Sequence, residues 1–303
     1  MKILQTQGWD EYELIDSGNG KRLERFGDYR IVRPDPQIIW KPRLSASDWK
    51  NIDAFFDPEK KKWIIKTNVP EKWLLHYKSL SFYAKLSPFK HTGVFPEQHV
   101  MWDWVTSVIA NKVKQSTKEE IASSSPTPRN DVKVLNLFGY TGIASLAVAA
   151  AGVAVTHVDA SRPTIGWARE NQHVSGLDDK PIRWILDDAV KFVQREIKRG
   201  NHYDGIIMDP PIYGHGPGGE KWDFSESFPQ LMDLCRQILT PKPNFVLVNA
   251  YAISSSSIML ENVLHDYLKD LGGTIESGEL TLQESAKNGR LLSTGIFARW
   301  SSR

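Results

Sequence analysis

The residues best suited to chemistry in this chain follow a buried apolar run near position 208, in the segment DPPIYGHGPGGEKW. Pro210 and Pro211 fix the backbone and remove two amide donors, so carbonyl oxygens are expected to face a crevice without internal hydrogen bonds. Such oxygens and the Asp209 carboxylate suit a substrate N–H group, and Tyr213 suits stacking on a planar base. The GHGPGG part predicts a flexible lip. A rigid turn with no catalytic role is the alternative.

A second segment, NLFGYTG, runs from Asn136 to Gly142 and bears two glycines at a predicted turn from strand to helix. Gly139 and Gly142 lack Cβ atoms, so a ligand can approach the backbone closely. The helix N-terminus beyond them offers unpaired amides to a carboxylate. The G-x-G-x-x-G pattern of NAD-binding sheets is missing, which argues against NAD. A purely structural tight turn is the alternative.

Asp159 ends the second predicted strand, twenty residues after Gly139. A carboxylate at this place accepts two hydrogen bonds from ribose hydroxyls in nucleoside-binding sheets, whichever cofactor carries the ribose. Ser161 follows closely, and it either contacts the ligand or caps the second helix. We favour the cap slightly.

Two consecutive carboxylates, Asp187 and Asp188, precede Ala189 at the end of the third predicted strand. One carboxylate at that edge can accept a hydrogen bond from an adenine amino group, and Asp188 is the favoured candidate. The alternative is that both aspartates cap the following helix. Which of the two contacts adenine stays open at this point.

Alternating apolar strands and helices, from VKVLNLF onward, must position these residues. Five strands alternate with five helices, and two late strands near TIESGELTL and STGIFARW follow without a long helix between them. Right-handed crossovers put ligands at the carboxyl ends of parallel strands. We therefore expect an α/β, Rossmann-like sheet of seven strands with an antiparallel C-terminal hairpin at its edge.

Residues 1–92 predict a small β-rich domain, because short strands such as YRIVRP alternate with Gly, Asn, Asp and Pro. Residues 1–90 hold 17 Lys and Arg against 12 Asp and Glu, and the remainder holds 21 against 24. Basic and aromatic side chains together can bind nucleic acid, so this domain is a possible substrate-recognition module. The favoured alternative is that its tryptophans fill the core; they are Trp9, Trp40, Trp49, Trp63 and Trp73.

Residues 93–130 are expected to connect this domain to a larger one that spans residues 131–303. Apolar residues at helical spacing from Glu97 to about Lys114 predict a helix. The segment KQSTKEEIASSSPTPRND, rich in Ser with two Pro, predicts a linker or mobile loop.

The composition of the chain limits the possible metal sites, membrane contacts and cellular location. The chain has one cysteine, Cys235, which excludes an internal disulfide and a Cys-based zinc site, and we expect no metal. The N-terminal residues lack an apolar signal region. The longest apolar stretch, from Ile143 to Val155, is too short to span a bilayer. We expect a cytoplasmic protein without membrane contact.

Taken together, NLFGYTG, VTHVDASR, ILDDA and DPPIYGHGPGGEKW, in this order and spacing, resemble class I S-adenosylmethionine-dependent methyltransferases. They are most similar to the branch that contains bacterial large-subunit ribosomal RNA methyltransferases. GVFPEQ and ARENQ also fit this branch. The resemblance covers roughly Phe95 to the C-terminus, and it implies S-adenosylmethionine as cofactor and RNA as substrate.

The resemblance also implies which residues bind the cofactor. Phe95 and Gln98 are candidates because GVFPEQ lies beside the cofactor pocket in that family. The remaining candidates lie at the predicted carboxyl ends of the strands: Asn136, Phe138, Gly139, Tyr140, Thr141, Gly142, Asp159, Ser161, Asp188, Ala189 and Asp209.

One departure changes the expected reaction. Some relatives make 5-methylcytosine with a cysteine near the end of strand five, where this chain reads VLVNAYAISSSS. Cys235 lies in a predicted helix and is expected to be a small buried residue. We therefore expect transfer to a base nitrogen of RNA, with ribosomal RNA favoured. A methyltransferase for a small molecule or protein and a non-catalytic S-adenosylmethionine-binding module are the alternatives.

Overall fold

The computed structural model describes residues 1–122, 132–251 and 255–302. They divide into two compact units. The first unit comprises Met1–Leu4, Val100–Leu280 and Thr294–Arg303, and the second comprises Gln5–His99 and Thr281–Ser293. The second unit thus contains a late segment that the sequence pattern assigns to the domain of residues 131–303.

In chain order, residues 1–122 form eight strands and one α-helix: β1 Lys2–Gln5, β2 Tyr12–Gly18, β3 Lys21–Phe26, β4 Tyr29–Pro34, β5 Ala54–Asp57, β6 Lys62–Ile65, β7 Trp73–Tyr77, β8 Leu80–Ala84 and α1 His99–Ala122. The other described residues form nine strands and five α-helices: β9 Lys133–Leu137, α2 Ile143–Ala150, β10 Ala154–Asp159, α3 Arg162–Val174, β11 Ile182–Leu186, α4 Ala189–Arg199, β12 Gly205–Met208, β13 Tyr213–His215, β14 Lys221–Asp223, α5 Phe224–Gln237, β15 Phe245–Ala250, α6 Ser257–Leu268, β16 Thr274–Gln283 and β17 Leu291–Ser301.

The predicted connecting helix is α1, and it is longer than its apolar pattern indicates. It continues to Ala122, through the first half of the segment that the sequence predicts as a linker. The rest of that segment, 123–131, lies outside the described residues.

The large sheet has eight strands in the order β1-β16-β17-β15-β12-β9-β10-β11. The five strands from β15 to β11 are parallel, and β17 runs antiparallel to β15. The predicted Rossmann-like α/β sheet with an antiparallel C-terminal hairpin is confirmed. It has one strand more than predicted, because β1 lies beside β16 and takes the edge position expected for the hairpin.

Both faces of this sheet are buried, which explains the near-continuous apolar runs of its parallel strands. Leu135 and Ile206 belong to a core cluster with residues of α4, α5 and α6. Their neighbours Val134 and Ile207 belong to a second cluster with residues of α1 and α2. In the described part of the chain, no helix combines the length and the apolar character needed to cross a membrane.

The second unit is rich in strands, as its sequence predicts. Strands β2 to β6 form one sheet in chain order, and β7 pairs with β8. Trp9 and Trp73 are buried at 6% and 7% exposure, so these two tryptophans do fill the core. Glu284 of the late segment accepts a hydrogen bond from the backbone N–H of Ser17 at 3.1 Å.

Candidate functional site

The carboxyl ends of β9, β10 and β12 lie level with one another in the sheet. Leu137 pairs in register with Val158 on one side and with Met208 on the other. The next residues along the three strands are Phe138, Asp159 and Asp209, and each is half-buried. The sheet therefore brings the segments NLFGYTG, VTHVDASR and DPP to one edge, as expected from the sequence.

The turn after β9, residues Phe138–Gly142, has an unusual backbone and is called the glycine turn below. Phe138 and Tyr140 have φ values of 56° and 51°, and Gly142 has 83°. Positive φ is uncommon for residues other than glycine and costs conformational energy. Such strain concentrates at ligand-binding turns, where the surrounding structure maintains it.

The two glycines of this turn make room for protein neighbours, a reason that the sequence does not indicate; the approach of a ligand to them stays a prediction. A Cβ on Gly139 would collide with the imidazole of His157. A Cβ on Gly142 would lie 2.8 Å from Cβ of Ala168 and 3.0 Å from the Trp184 ring. The glycines thus let the turn pack closely against β10, β11 and α3.

A buried polar group supports the glycine turn from below. Asn136 is 2% exposed and donates from Nδ2 to Ser145 Oγ at 2.9 Å, so its side chain is held in the interior, and its contact with a cofactor stays a prediction. Ser145 Oγ also contacts His157 Nδ1 at 3.0 Å. Burial lowers the pKa of His157 to about 3, and the imidazole is therefore neutral near pH 7.

Asn171, in the ARENQ segment, holds the same turn from α3. Its side chain is fully buried and donates from Nδ2 to the carbonyl oxygen of Thr141 at 2.9 Å. The segment was singled out by its resemblance alone, and this bond gives it a physical role.

The carboxylate of Asp159 already accepts hydrogen bonds from the protein itself. Its Oδ2 accepts the backbone N–H of Tyr140 at 2.8 Å. Its Oδ1 accepts the backbone N–H of Ser161 and the hydroxyl of Thr164, both at 2.8 Å. A carboxylate has about four lone-pair sites, so one remains, on Oδ2. This leaves room for one ribose hydroxyl, and the ribose contact of Asp159 stays a prediction.

Ser161 is the N-cap of α3, as favoured by the sequence: its side chain accepts the backbone N–H of Thr164 at 3.5 Å. Asp188 is the N-cap of α4 and accepts the backbone N–H of Lys191 at 2.9 Å. Asp187 instead forms an ion pair with Arg195. The cap interpretation therefore holds for Asp188 and not for Asp187.

Asp188 also lies close to the GHGPGG segment. It is 9% exposed and Ala189, the first residue of α4, is 4% exposed. A Cβ on Gly216 would lie 3.1 Å from Cβ of Asp188, so the GHGPGG segment packs against this side chain. An ion pair between Lys191 and Glu220 ties the same segment to α4.

The turn of Asp209–Pro211, called the Asp-Pro-Pro turn below, differs from expectation in one respect. The carbonyl oxygen of Pro211 accepts the indole N–H of Trp222 at 2.6 Å, so this oxygen does have an internal partner. Pro210 is buried and Pro211 is exposed. The acceptors expected to serve a substrate are thereby reduced to the Asp209 carboxylate and the Pro210 carbonyl.

The segment predicted as a flexible lip forms the hairpin of β13 and β14. Tyr213 pairs with Asp223, Gly214 with Trp222 and His215 with Lys221. Tyr213 is 74% exposed, whereas Trp222 is 5% exposed. Because side chains alternate along a strand, the hairpin presents Tyr213 on one face and inserts Trp222 from the other.

Two predicted contacts, Phe95 and Gln98, belong to the second unit. Phe95 precedes a 3₁₀ turn, Pro96–Gln98, and its ring lies 5.3 Å from that of His91. The backbone N–H of Gln98 donates to the carbonyl of Phe95 at 3.0 Å. Their contact with a cofactor stays a prediction.

Cys235 is 2% exposed, and burial raises the pKa of its thiol. It is a packed core residue rather than a reactive thiolate. Among the described residues, no group of three or more His, Cys, Asp or Glu is arranged to hold a metal ion.

Sequence reasoning missed Trp222, Thr164 and His157 as parts of the site. Trp222 lies in a stretch that the sequence indicates only as a loop end, and its bond to Pro211 depends on the hairpin. His157 and Thr164 lie in segments whose sequences indicate only a strand and a helix. Their roles need the three-dimensional packing.

No family model matches the chain. A ribosomal RNA large subunit methyltransferase K/L from Shewanella sp. (strain MR-4) is 31% identical over 274 residues, which are 82% of this chain and 36% of that protein. The protein of that name from Shewanella oneidensis is 25% identical over 273 residues, 82% of this chain and 35% of the relative. The chain thus spans about a third of the length of these curated relatives.

Solved structures give a fuller match. A SAM-dependent methyltransferase from Agrobacterium tumefaciens is 42% identical, with a TM-score of 0.90, and the match covers 100% of this chain and 94% of that one. A Streptococcus mutans structure, described as a SAM-dependent methyltransferase, is 17% identical with a TM-score of 0.68 over 95% of this chain and 74% of that one; it supports the fold alone. With the sheet order and the glycine turn, the first match shows that the chain belongs to the S-adenosylmethionine-dependent methyltransferases.

Proposed function

We propose that this protein binds S-adenosylmethionine at the glycine turn and transfers its methyl group to a base nitrogen of RNA, with ribosomal RNA as the favoured substrate. The observation that carries the proposal is the position of Asp209, level with Asp159 in the sheet and followed by the buried Pro210. This arrangement supports a substrate amino-group site at the same sheet edge as the expected ribose site, with β9 between the two carboxylates.

The donor side of the site uses backbone and carboxylate groups. Tyr140 and Thr141 precede the N-terminus of α2, whose amides suit the methionine carboxylate. The lone pair left on Asp159 Oδ2 suits one ribose hydroxyl. Asp188 accepts through Oδ1 at the helix cap, and its other oxygen suits the adenine amino group, with Ala189 beneath it. Phe95 and Gln98 stay candidate contacts by resemblance alone.

The acceptor side uses the Asp-Pro-Pro turn. When bound, S-adenosylmethionine supplies an activated methyl group. Asp209 and the Pro210 carbonyl accept the N–H groups of the substrate, which aims the nitrogen lone pair at the methyl carbon. Tyr213, exposed on the outer face of the hairpin, holds the base plane by stacking. Oriented approach of this kind can remove about 7–11 kcal/mol from a barrier.

An RNA substrate is supported by two independent observations. The curated relatives are named ribosomal RNA large subunit methyltransferases. Residues 1–90 carry 17 Lys and Arg against 12 Asp and Glu, a balance that favours a polyanionic partner. A base in structured RNA must be exposed or flipped out of its stack to reach the site. Methylation of ribosomal RNA implies a cytoplasmic location.

The test is the Asp209→Ala variant, assayed with labelled S-adenosylmethionine and ribosomal RNA from a strain that lacks the gene. We expect the rate of methyl transfer to fall by about 100-fold or more, within the range for a positioned group that handles a substrate proton. Asp233→Ala, at an exposed position of α5, is the matched control and should retain the wild-type rate. Transfer at the wild-type rate by Asp209→Ala would contradict the proposal.

A further inference from the structure

Trp222 connects the two turns of the site. On one side, its indole N–H donates to the Pro211 carbonyl at 2.6 Å. On the other, its ring centroid lies 4.8 Å from that of Phe138, at an interplanar angle of 59°. One buried side chain thus touches both the glycine turn and the Asp-Pro-Pro turn.

The bond to Pro211 has a consequence for the neighbouring acceptors. Pro210 and Pro211 have no amide hydrogen to donate, so these two residues cannot restrain the turn through backbone N–H groups. The hairpin supplies the missing restraint from outside: Trp222 binds the carbonyl of Pro211, and the backbone N–H of Phe224 donates to the carbonyl of Ile212 at 2.9 Å. The hairpin therefore restrains the backbone directly after the Pro210 carbonyl.

The contact with Phe138 reaches the other half of the site. Phe138 has a φ of 56°, and a residue other than glycine keeps such a backbone conformation only where its surroundings restrain it. Trp222 packs against its ring at the point where the chain leaves β9. A ligand in the glycine turn that displaces Phe138 would therefore also displace the indole of Trp222. The indole would in turn displace Pro211, because it is bonded to the Pro211 carbonyl.

We propose that Trp222 is a positioning residue for methyl transfer, which couples the glycine turn to the Asp-Pro-Pro turn through its contact with Phe138 and its bond to the Pro211 carbonyl. The proposal rests on the proposed function for the assignment of cofactor and acceptor to these two turns. It differs from a core-packing role, because the indole N–H and not only the ring volume is required.

The first experiment needs no substrate. In a spectrum of the 15N-labelled indole groups of the full chain, the Trp222 signal is identified by its loss in Trp222→Phe. We expect S-adenosylhomocysteine to shift this signal while the Trp300 indole signal, assigned with Trp300→Phe, stays in place. A Trp222 signal that does not move when S-adenosylhomocysteine saturates the protein would overturn the coupling.

The second experiment measures kinetics with a matched control. Trp300 is also buried, at 1% exposure, and its indole N–H donates to the carbonyl of Gly272 at 2.7 Å. Trp222→Phe should lower kcat for RNA methylation by about 10- to 100-fold, as small misplacements of reacting groups do, with the Kd for S-adenosylhomocysteine changed less than about threefold. Trp300→Phe, with a comparable loss of Tm, should retain kcat. Equal kcat values for the two variants would overturn the positioning role.

The two failures are distinguishable. If the wild-type protein labels no RNA, the proposed acceptor is wrong, and the indole shift alone then decides the coupling. If the wild-type protein labels RNA and Trp222→Phe labels it at the same rate, the proposed function stands and the role of Trp222 is wrong.

Discussion

Asp159 and Tyr140 are joined by a hydrogen bond of 2.8 Å from the Tyr140 backbone N–H to Asp159 Oδ2. The bond links the end of β10 to the strained centre of the glycine turn, where Tyr140 has a φ of 51°. The same carboxylate therefore shapes the turn and, in the proposed function, binds the ribose.

This relationship predicts the effect of Asp159→Asn. The amide removes the negative charge, and one orientation of it presents an NH₂ group to the Tyr140 N–H. We expect the affinity for S-adenosylhomocysteine, measured by calorimetry, to fall by about 10- to 100-fold, since hydrogen bonds to charged groups contribute ~1.5–3 kcal/mol. Asp178→Asn, on an exposed side chain, is the control. Unchanged affinity in Asp159→Asn would contradict the role of this carboxylate.

The close packing around Gly139 predicts that a larger side chain at this position destabilises the fold. A Cβ at this position collides with the His157 imidazole, so Gly139→Ala should lower the free energy of unfolding by ~1–3 kcal/mol, as for overpacked cores. The double variant Gly139→Ala, His157→Ser should recover part of that loss in urea unfolding. Gly166→Ala, in α3 with no atom within 4 Å of the new Cβ, is the control and should be neutral or stabilising. No recovery in the double variant would show that the collision is not with His157.

The burial of His157 predicts that the free energy of unfolding depends on pH. Its pKa is lowered by burial to about 3, so between its ordinary pKa near 6.5 and that value the unfolded state binds a proton that the native state excludes. The free energy of unfolding should therefore fall as pH decreases through this window, by ~1.4 kcal/mol per pH unit for this group. We expect His157→Gln to reduce the slope measured between pH 6 and 4.5 by urea unfolding.

Two controls accompany this measurement. Burial lowers the pKa of His91 to about 4, so His91 contributes to the pH dependence of unfolding in the same direction. A residual slope therefore remains in the His157→Gln variant. His265→Gln, exposed on α6, should leave the slope as in wild type. A slope in His157→Gln equal to that of wild type would mean that the imidazole is charged or accessible in the native state.

Cys235 predicts that no thiolate takes part in the reaction. It is buried within the cluster of α4, α5 and α6, and burial raises its thiol pKa. Cys235→Ala should therefore retain kcat within about twofold, with a modest loss of stability of ~1 kcal/mol. The rate of RNA methylation measures this, with circular dichroism to establish folding. A folded but inactive Cys235→Ala would favour carbon methylation through a covalent adduct.

The parallel strands and the edge that gathers Asp159, Asp188 and Asp209 were predictable, because apolar periodicity and the strand–helix alternation are local features of the sequence. Strand β1 was not predictable, since four residues, KILQ, carry little periodicity and pair with β16 near the other end of the chain. The assignment of Thr281–Ser293 to the second unit was not predictable either, because it also depends on pairing between distant parts of the chain.

Within the site, residue types were predictable and their partners were not. The positions of Gly139 and Gly142 follow from the sequence, but their physical reason is the packing of His157, Ala168 and Trp184. The internal partner of the Pro211 carbonyl was not predictable, because Trp222 reaches Pro211 only through the β13–β14 hairpin.

The central claim is methyl transfer to a base nitrogen of RNA, and one measurement tests it most directly. Ribosomal RNA from a strain that lacks the gene is incubated with the protein and S-adenosylmethionine labelled in the methyl group, beside total protein and small-molecule extracts of the same strain. The labelled RNA is digested to nucleosides and analysed by mass spectrometry. The account predicts that the label is on a base nitrogen of a single nucleoside type and absent from the extracts; label on a base carbon, on a ribose oxygen or only in the extracts would contradict it.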